Sequence, residues 1–127
     1  MGPTHDDKKT PRDSDLRAAV RNGTSGWRGH VVDALLKNKY QVTILDLNQP
    51  KRKDVKFIKG SILDKSIIRS ALKNINIVFH LAAVSDITKV KGIPLKTIET
   101  NILGTTFLLE NARNVNIDRF IFAGSIY

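Results

Sequence analysis

From Leu16 onward, short β-branched runs alternate with segments whose apolar residues recur at intervals of three and four, and this alternation constrains the fold more than any other feature of the chain. Runs of that length suit strands, and the periodic segments suit helices that cover them. Leu16 to Val20 is the first, weakly apolar run. Val31, Val32, Leu35 and Leu36 then mark one face of a helix, Gln41 to Asp46 is a β-branched strand, and Val55 to Lys59 is a second short one. Asp64 reads as the N-cap of a helix whose buried face holds Ile67, Ile68, Ala71 and Leu72. Ile77 to Ala83 is apolar enough for a central parallel strand covered on both faces. Pro94 suits the first turn of a long helix, with Leu95, Ile98, Ile102, Leu108, Leu109 and Ala112 as its apolar stripe, and Arg119 to Ala123 is the last strand. Strands interleaved with helices require right-handed crossovers and a parallel sheet. Five strands therefore predict a doubly wound α/β domain of order 3-2-1-4-5 over residues 16–127.

Residues 1–15 are rich in Asp, Lys, Thr and Pro without apolar periodicity, and read as a disordered arm or tail. The chain has no cysteine, which excludes disulfides, thiolate metal sites and a cysteine nucleophile; no metal centre is expected. Neither a membrane span nor the apolar run of a secretory signal is present, so a cytoplasmic protein is expected. Twenty-one basic against twelve acidic side chains give a formal charge of +9. The densest basic run, Lys51-Arg52-Lys53 with Lys56 and Lys59, reads as a solvated surface. A nucleic-acid-binding domain rests on that charge alone, without a recognition-helix signature or a stacking-aromatic motif.

Between the first strand and the first helix lies Asn22-Gly23-Thr24-Ser25-Gly26-Trp27-Arg28-Gly29. Gly23 can take the tight turn out of the strand, Gly26 lets the backbone approach a pyrophosphate, and Gly29 lets the helix pack close to the sheet. The helix amino terminus would point N–H groups and its positive dipole end at the phosphates, with Thr24, Ser25, Trp27 and Arg28 completing the cradle. Asp46 ends the next strand, where a carboxylate can accept from the adenosine ribose hydroxyls, a geometry that favours NAD over NADP. No Gly-Lys-Ser or Gly-Lys-Thr follows the turn, so a P-loop does not fit.

With these residues in place, the chain resembles the extended short-chain dehydrogenase/reductases, which include NAD-dependent sugar-nucleotide epimerases and dehydratases. The resemblance runs from about Ala18 to Tyr127 and rests on Gly23-x-x-Gly26-x-x-Gly29, Asp46, Val78-Phe-His-Leu-Ala-Ala83, Asn101-Ile-Leu-Gly-Thr105 and Phe120-Ile-Phe-Ala-Gly-Ser125. It implies a Rossmann-type fold in which His80 is structural and Leu81, Ala82 and Ala83 leave room for the cofactor. Ser61 and Ile62 would stand near adenine, where the family usually has an Asp-hydrophobic pair. By the same resemblance Asn101 supports the active-site backbone, Gly104 permits close helix packing, and Ser125 hydrogen-bonds the reacting hydroxyl or carbonyl.

The family's general acid/base is a Tyr in a Tyr-x-x-x-Lys pair, and none follows Ser125. The resemblance thus implies the amino-terminal, NAD-binding portion of an epimerase or dehydratase, inactive alone, with a sugar nucleotide as substrate once completed. A non-catalytic nucleotide-binding fragment or sensor is the alternative, and a steroid-dehydrogenase-like oxidoreductase shares the same opening pattern. An apolar edge at Arg119 to Ala123 leads us to expect marginal stability, a homodimer or self-association.

Overall fold

The computed structural model describes residues 17–21, 25–84 and 91–124, with side chains from Gly29 onward. The elements in chain order are β1 (Arg17–Arg21), α1 (Ser25–Lys37), β2 (Gln41–Asp46), β3 (Lys56–Lys59), α2 (Lys65–Ala71), β4 (Ile77–His80), α3 (Pro94–Ile98), a π-helical segment (Glu99–Gly104), α4 (Thr105–Arg113) and β5 (Arg119–Phe122). The strands form one sheet in the order β3-β2-β1-β4-β5. Every pairing is parallel, as the strand-helix alternation requires. β1 lies between β2 and β4, so the winding reverses direction beside it.

Local chemistry sets the helix ends. At the carboxyl end of α1 the chain turns back at Lys39, whose φ is 64°. There the Lys39 N–H donates to the Leu36 carbonyl at 2.9 Å and the Tyr40 N–H to that of Leu35 at 3.0 Å. These two bonds are a Schellman closure built on a non-glycine residue. Asp64 caps α2 as its sequence position predicts, accepting from the N–H groups of Ser66 at 2.9 Å and Ile67 at 3.2 Å. Pro94 occupies the first turn of α3.

The sheet separates two apolar clusters. Val32 and Leu35 of α1 pack with Val42 and Ile44 on one face. On the other, Leu45 and Val78 meet Ile62, Ile68, Ala71, Leu72, Leu108 and Ala112. In β2, Val42 and Ile44 thus turn to one layer and Leu45 to the other, which is why it reads as a continuous apolar run.

Two expectations need correction. β4 ends at His80 rather than Ala83. Beyond it the Val84 backbone is hydrogen-bonded at both its N–H and its carbonyl by the Asn101 side chain, which takes the place of a strand partner. The six apolar residues expected as one stripe on the long helix divide between two faces. Leu108 and Ala112 are buried, whereas Leu95, Ile98, Ile102 and Leu109 are exposed. Leu108 and Leu109, consecutive in α4 and therefore about 100° apart, point one to each face. The buried face is the one carrying Gly104, Leu108 and Ala112.

Candidate functional site

In a parallel doubly wound sheet, ligands bind outside the carboxyl ends of the strands, where the winding reverses. Arg21, Asp46, Lys59, His80 and Phe122 end the five strands along that edge. Arg21 is in register with Leu45 on one side and His80 on the other. Arg21 and His80, the last residues of β1 and β4, consequently end side by side at the reversal.

Gly23, Thr24 and the expected catalytic Ser125 lie outside the described residues. Ser25, Gly26, Trp27 and Arg28 form the first turn of α1, as a phosphate-facing helix start requires. Among the described atoms, none comes within 4 Å of a Cβ built at Gly29. The close packing expected of that glycine is therefore not demanded by the described residues; Gly29 instead borders an open cavity of about 420 Å³ with Val32, Ile44 and the loop from Gln49 to Arg52.

Asp46 is 1% exposed, and its Oδ1 accepts from the Asn48 N–H at 2.9 Å. This short Asx-type link fixes the carboxylate against the chain that leaves β2. In the next loop, Arg52 donates to Asp33 of α1 at 2.7 Å and to both carboxylate oxygens of Asp54, at 2.7 and 3.0 Å. Hydrogen bonding to Asp54, then to Asp33, holds the guanidinium well above its ordinary pKa, and the same bond holds Asp54 below its own.

After β3, the Gly60 N–H donates to the Asp46 carbonyl at 2.9 Å, and the Ser61 hydroxyl accepts from the Leu63 N–H at 3.1 Å. Ile62 is completely buried. A Cβ built at Gly104 would overlap its Cδ1. The Ile62 side chain is thus the floor on which the helix sits. The reading of Gly104 as a close-packing position is correct.

The segment after β4 is held by the same helix. Leu81 packs toward the α1 cluster and Ala82 is buried in the other, while Ala83 is exposed. Asn101 Oδ1 accepts from the Val84 N–H at 2.7 Å, and its Nδ2 donates to the Val84 carbonyl at 3.0 Å. His80, 1% exposed, has Nε2 at 2.7 Å from Thr105 Oγ1. The Thr105 hydroxyl donates its single proton to the Asn101 carbonyl at 2.6 Å, so it accepts from a protonated Nε2. Sequence reasoning gave Thr105 no role of its own; its spacing of four from Asn101 is the signal that pairs hydroxyl with carbonyl.

Other large openings lie elsewhere: one of about 550 Å³ is lined at the opposite edge of the sheet by Gln41, Lys56 and Lys73. Among the described residues no cluster of metal-ligating side chains occurs, and no helix is long and apolar enough to cross a membrane.

A five-stranded parallel sheet that reverses between β1 and β4, with a glycine-rich helix start and a buried carboxylate at its carboxyl edge, defines a doubly wound domain of the Rossmann type. Residues 22–127 match the model of the NAD dependent epimerase/dehydratase family, and the chain belongs to that family. UDP-glucose 4-epimerase of Erwinia amylovora is 31% identical over 118 residues, covering 81% of this chain and 35% of that protein. Among solved structures, UDP-glucose 4-epimerase from Thermotoga maritima with UDP-glucose superposes with a TM-score of 0.79 at 29% identity, over 87% of this chain and 38% of that one. A short-chain dehydrogenase/reductase superfamily protein from Agrobacterium tumefaciens with bound NAD gives 0.72 at 26% identity, over 86% and 32%. The chain therefore spans about a third of the length of the relatives it matches.

Proposed function

We propose that this chain forms the cofactor half of an NAD-dependent sugar-nucleotide epimerase or dehydratase of the cytoplasm. The observation that carries the reading is the buried Asp46 carboxylate at the end of β2, in the same edge as the helix start that follows the glycine-rich turn. In this reading the first turn of α1 receives the pyrophosphate on its free N–H groups, and Asp46 accepts from the adenosine ribose hydroxyls. Ser61, Leu81, Ala82 and Ala83 border the nucleotide. Asn101, by gripping Val84, keeps the segment after β4 out of the cofactor's path. Ser125 would hydrogen-bond the hydroxyl or carbonyl at the reacting sugar carbon. NAD, when bound, supplies a hydride acceptor that returns the hydride after epimerisation or elimination. The substrate in this reading is a sugar nucleotide, taken up once the chain is completed.

The test is calorimetric titration of the chain with NAD, repeated on Asp46→Ala. Saturable binding that weakens roughly tenfold to a hundredfold supports the reading, since hydrogen bonds to a charged group are each worth about 1.5 to 3 kcal/mol. A folded chain that binds no NAD would leave a member of the family that has lost its cofactor.

A further inference from the structure

The loop that leaves β2 after Asp46 carries a second set of charges. Its residues from Gln49 to Arg52 share the wall of the 420 Å³ cavity with Gly29, Val32 and Ile44, and Ile44 precedes Asp46 by two positions on β2. A guanidinium in that region is the group that accommodates a ribose 2′-phosphate. Arg52 occupies the right neighbourhood but is already engaged. Asp54 takes two of its N–H groups in a bidentate pair, and Asp33 on α1 takes a third from the other side. Three of the five N–H donors of the planar guanidinium are thus taken, so a third anion meets at most two donors and must approach against two carboxylates that repel it. Two carboxylates against one guanidinium also leave the group of three with a net negative charge.

We propose that the Asp33–Arg52–Asp54 clasp is a specificity device that withholds Arg52 from a 2′-phosphate, so that discrimination against NADP is shared between the clasp and Asp46. The proposal rests on the NAD-binding reading and deepens it. Asp33 and Asp54 are mainly exposed, so isosteric neutralisation leaves both apolar clusters intact. Exposed pairs are individually weak, which keeps the guanidinium recoverable once its partners lose their charge.

The experiment compares the wild-type chain, Asp33→Asn/Asp54→Asn, and the same double variant with Arg52→Ala, each titrated with NAD and with NADP. Asp46 is present in all three, as is Lys51 on the same cavity wall, so their effects cancel. The expected result is a gain in NADP affinity of roughly fivefold in the double variant, with NAD affinity within about twofold of wild type, and loss of the gain when Arg52 is removed. The proposal is overturned if NADP affinity does not rise, or if the gain persists without Arg52, because a persisting gain reflects only the removal of two negative charges. A wild-type chain that binds neither dinucleotide overturns the cofactor reading itself and this proposal with it, a result distinct from NAD binding without any change in preference.

Discussion

Asn101 grips Val84 at both ends of its backbone, its side-chain oxygen accepting from the N–H and its amide donating to the carbonyl. One side chain therefore replaces the strand partner that Val84 would otherwise need, and it ties the segment after β4 to the π-helical segment. Asn101→Ala leaves both backbone groups without those bonds, and we expect a loss of about 1 to 3 kcal/mol in urea unfolding. Asn101→Asp should fall between the two, because a carboxylate still accepts from the N–H but faces the Val84 carbonyl with a second acceptor. Equal losses for both variants would show that the bond to the carbonyl dominates.

Gly104 rests on Ile62, where a methyl group would overlap the Ile62 side chain. Gly104→Ala is expected to destabilise by about 1 to 3 kcal/mol through overpacking. Ile62→Val removes the Cδ1 atom nearest to that methyl, so it should offset part of the loss. A double-mutant cycle in chemical denaturation that shows strict additivity would place the strain elsewhere.

Lys39 adopts φ 64° at the turn that closes α1, a conformation glycine takes without steric cost. Lys39→Gly should raise stability by roughly 0.5 to 1 kcal/mol, seen as a higher urea midpoint with an unchanged slope. A lower midpoint would mean that the lost backbone entropy of the unfolded chain outweighs the relieved strain.

Asp64 is held below the ordinary carboxylate value of 3.8, chiefly by the hydrogen bond from the Ser66 side chain and then by that from the Ile67 N–H. A depressed folded pKa contributes stability that is complete above the unfolded value and is lost as pH falls through the folded one. Asp64→Ala should therefore melt at a lower temperature than wild type by a constant margin between pH 7 and 5, and the margin should narrow below pH 3.8. A margin that stays unchanged to pH 2 would mean that the cap works equally well when protonated.

In the described sheet β5 is an edge strand, and it exposes Ile121 and Phe122, the latter at 60%. An apolar edge favours pairing between chains. We expect a sedimentation coefficient that rises with concentration, and a smaller rise for Phe122→Lys. A monomer whose melting temperature is independent of concentration would count against this.

The strand order was legible in the sequence because it follows from the alternation of element types and the handedness of crossovers, neither of which depends on side-chain detail. The Asp64 cap was legible for a similar reason, since one side chain acts within its own turn. The face of the long helix was not. Its large aliphatic residues form the more conspicuous stripe, yet burial follows the small residues that let the backbone approach Ile62. Nor was the clasp of Arg52 legible: Asp54 is near in sequence, but Asp33 reaches it only because α1 lies beside the loop after β2. The run of lysine and arginine there read as a solvated surface, whereas its central member is held by two carboxylates.

The π-helical segment between Glu99 and Gly104 behaves, in the arithmetic of the chain, as an insertion without a loop. It advances one residue more per hydrogen-bonded ring than the α-helical turns on either side. Deleting a single residue there would allow the ordinary ladder to close with Pro94–Ile98 and Thr105–Arg113 nearly in their present phase, because the wider turn absorbs its extra residue. Only a deletion between Asn101 and Gly104 would alter the step that sets the grip on Val84 and the seat on Ile62 on their separate partners. Reading frames can change length freely in the exposed turns of this fold; at this helix, a single residue is a unit of geometry.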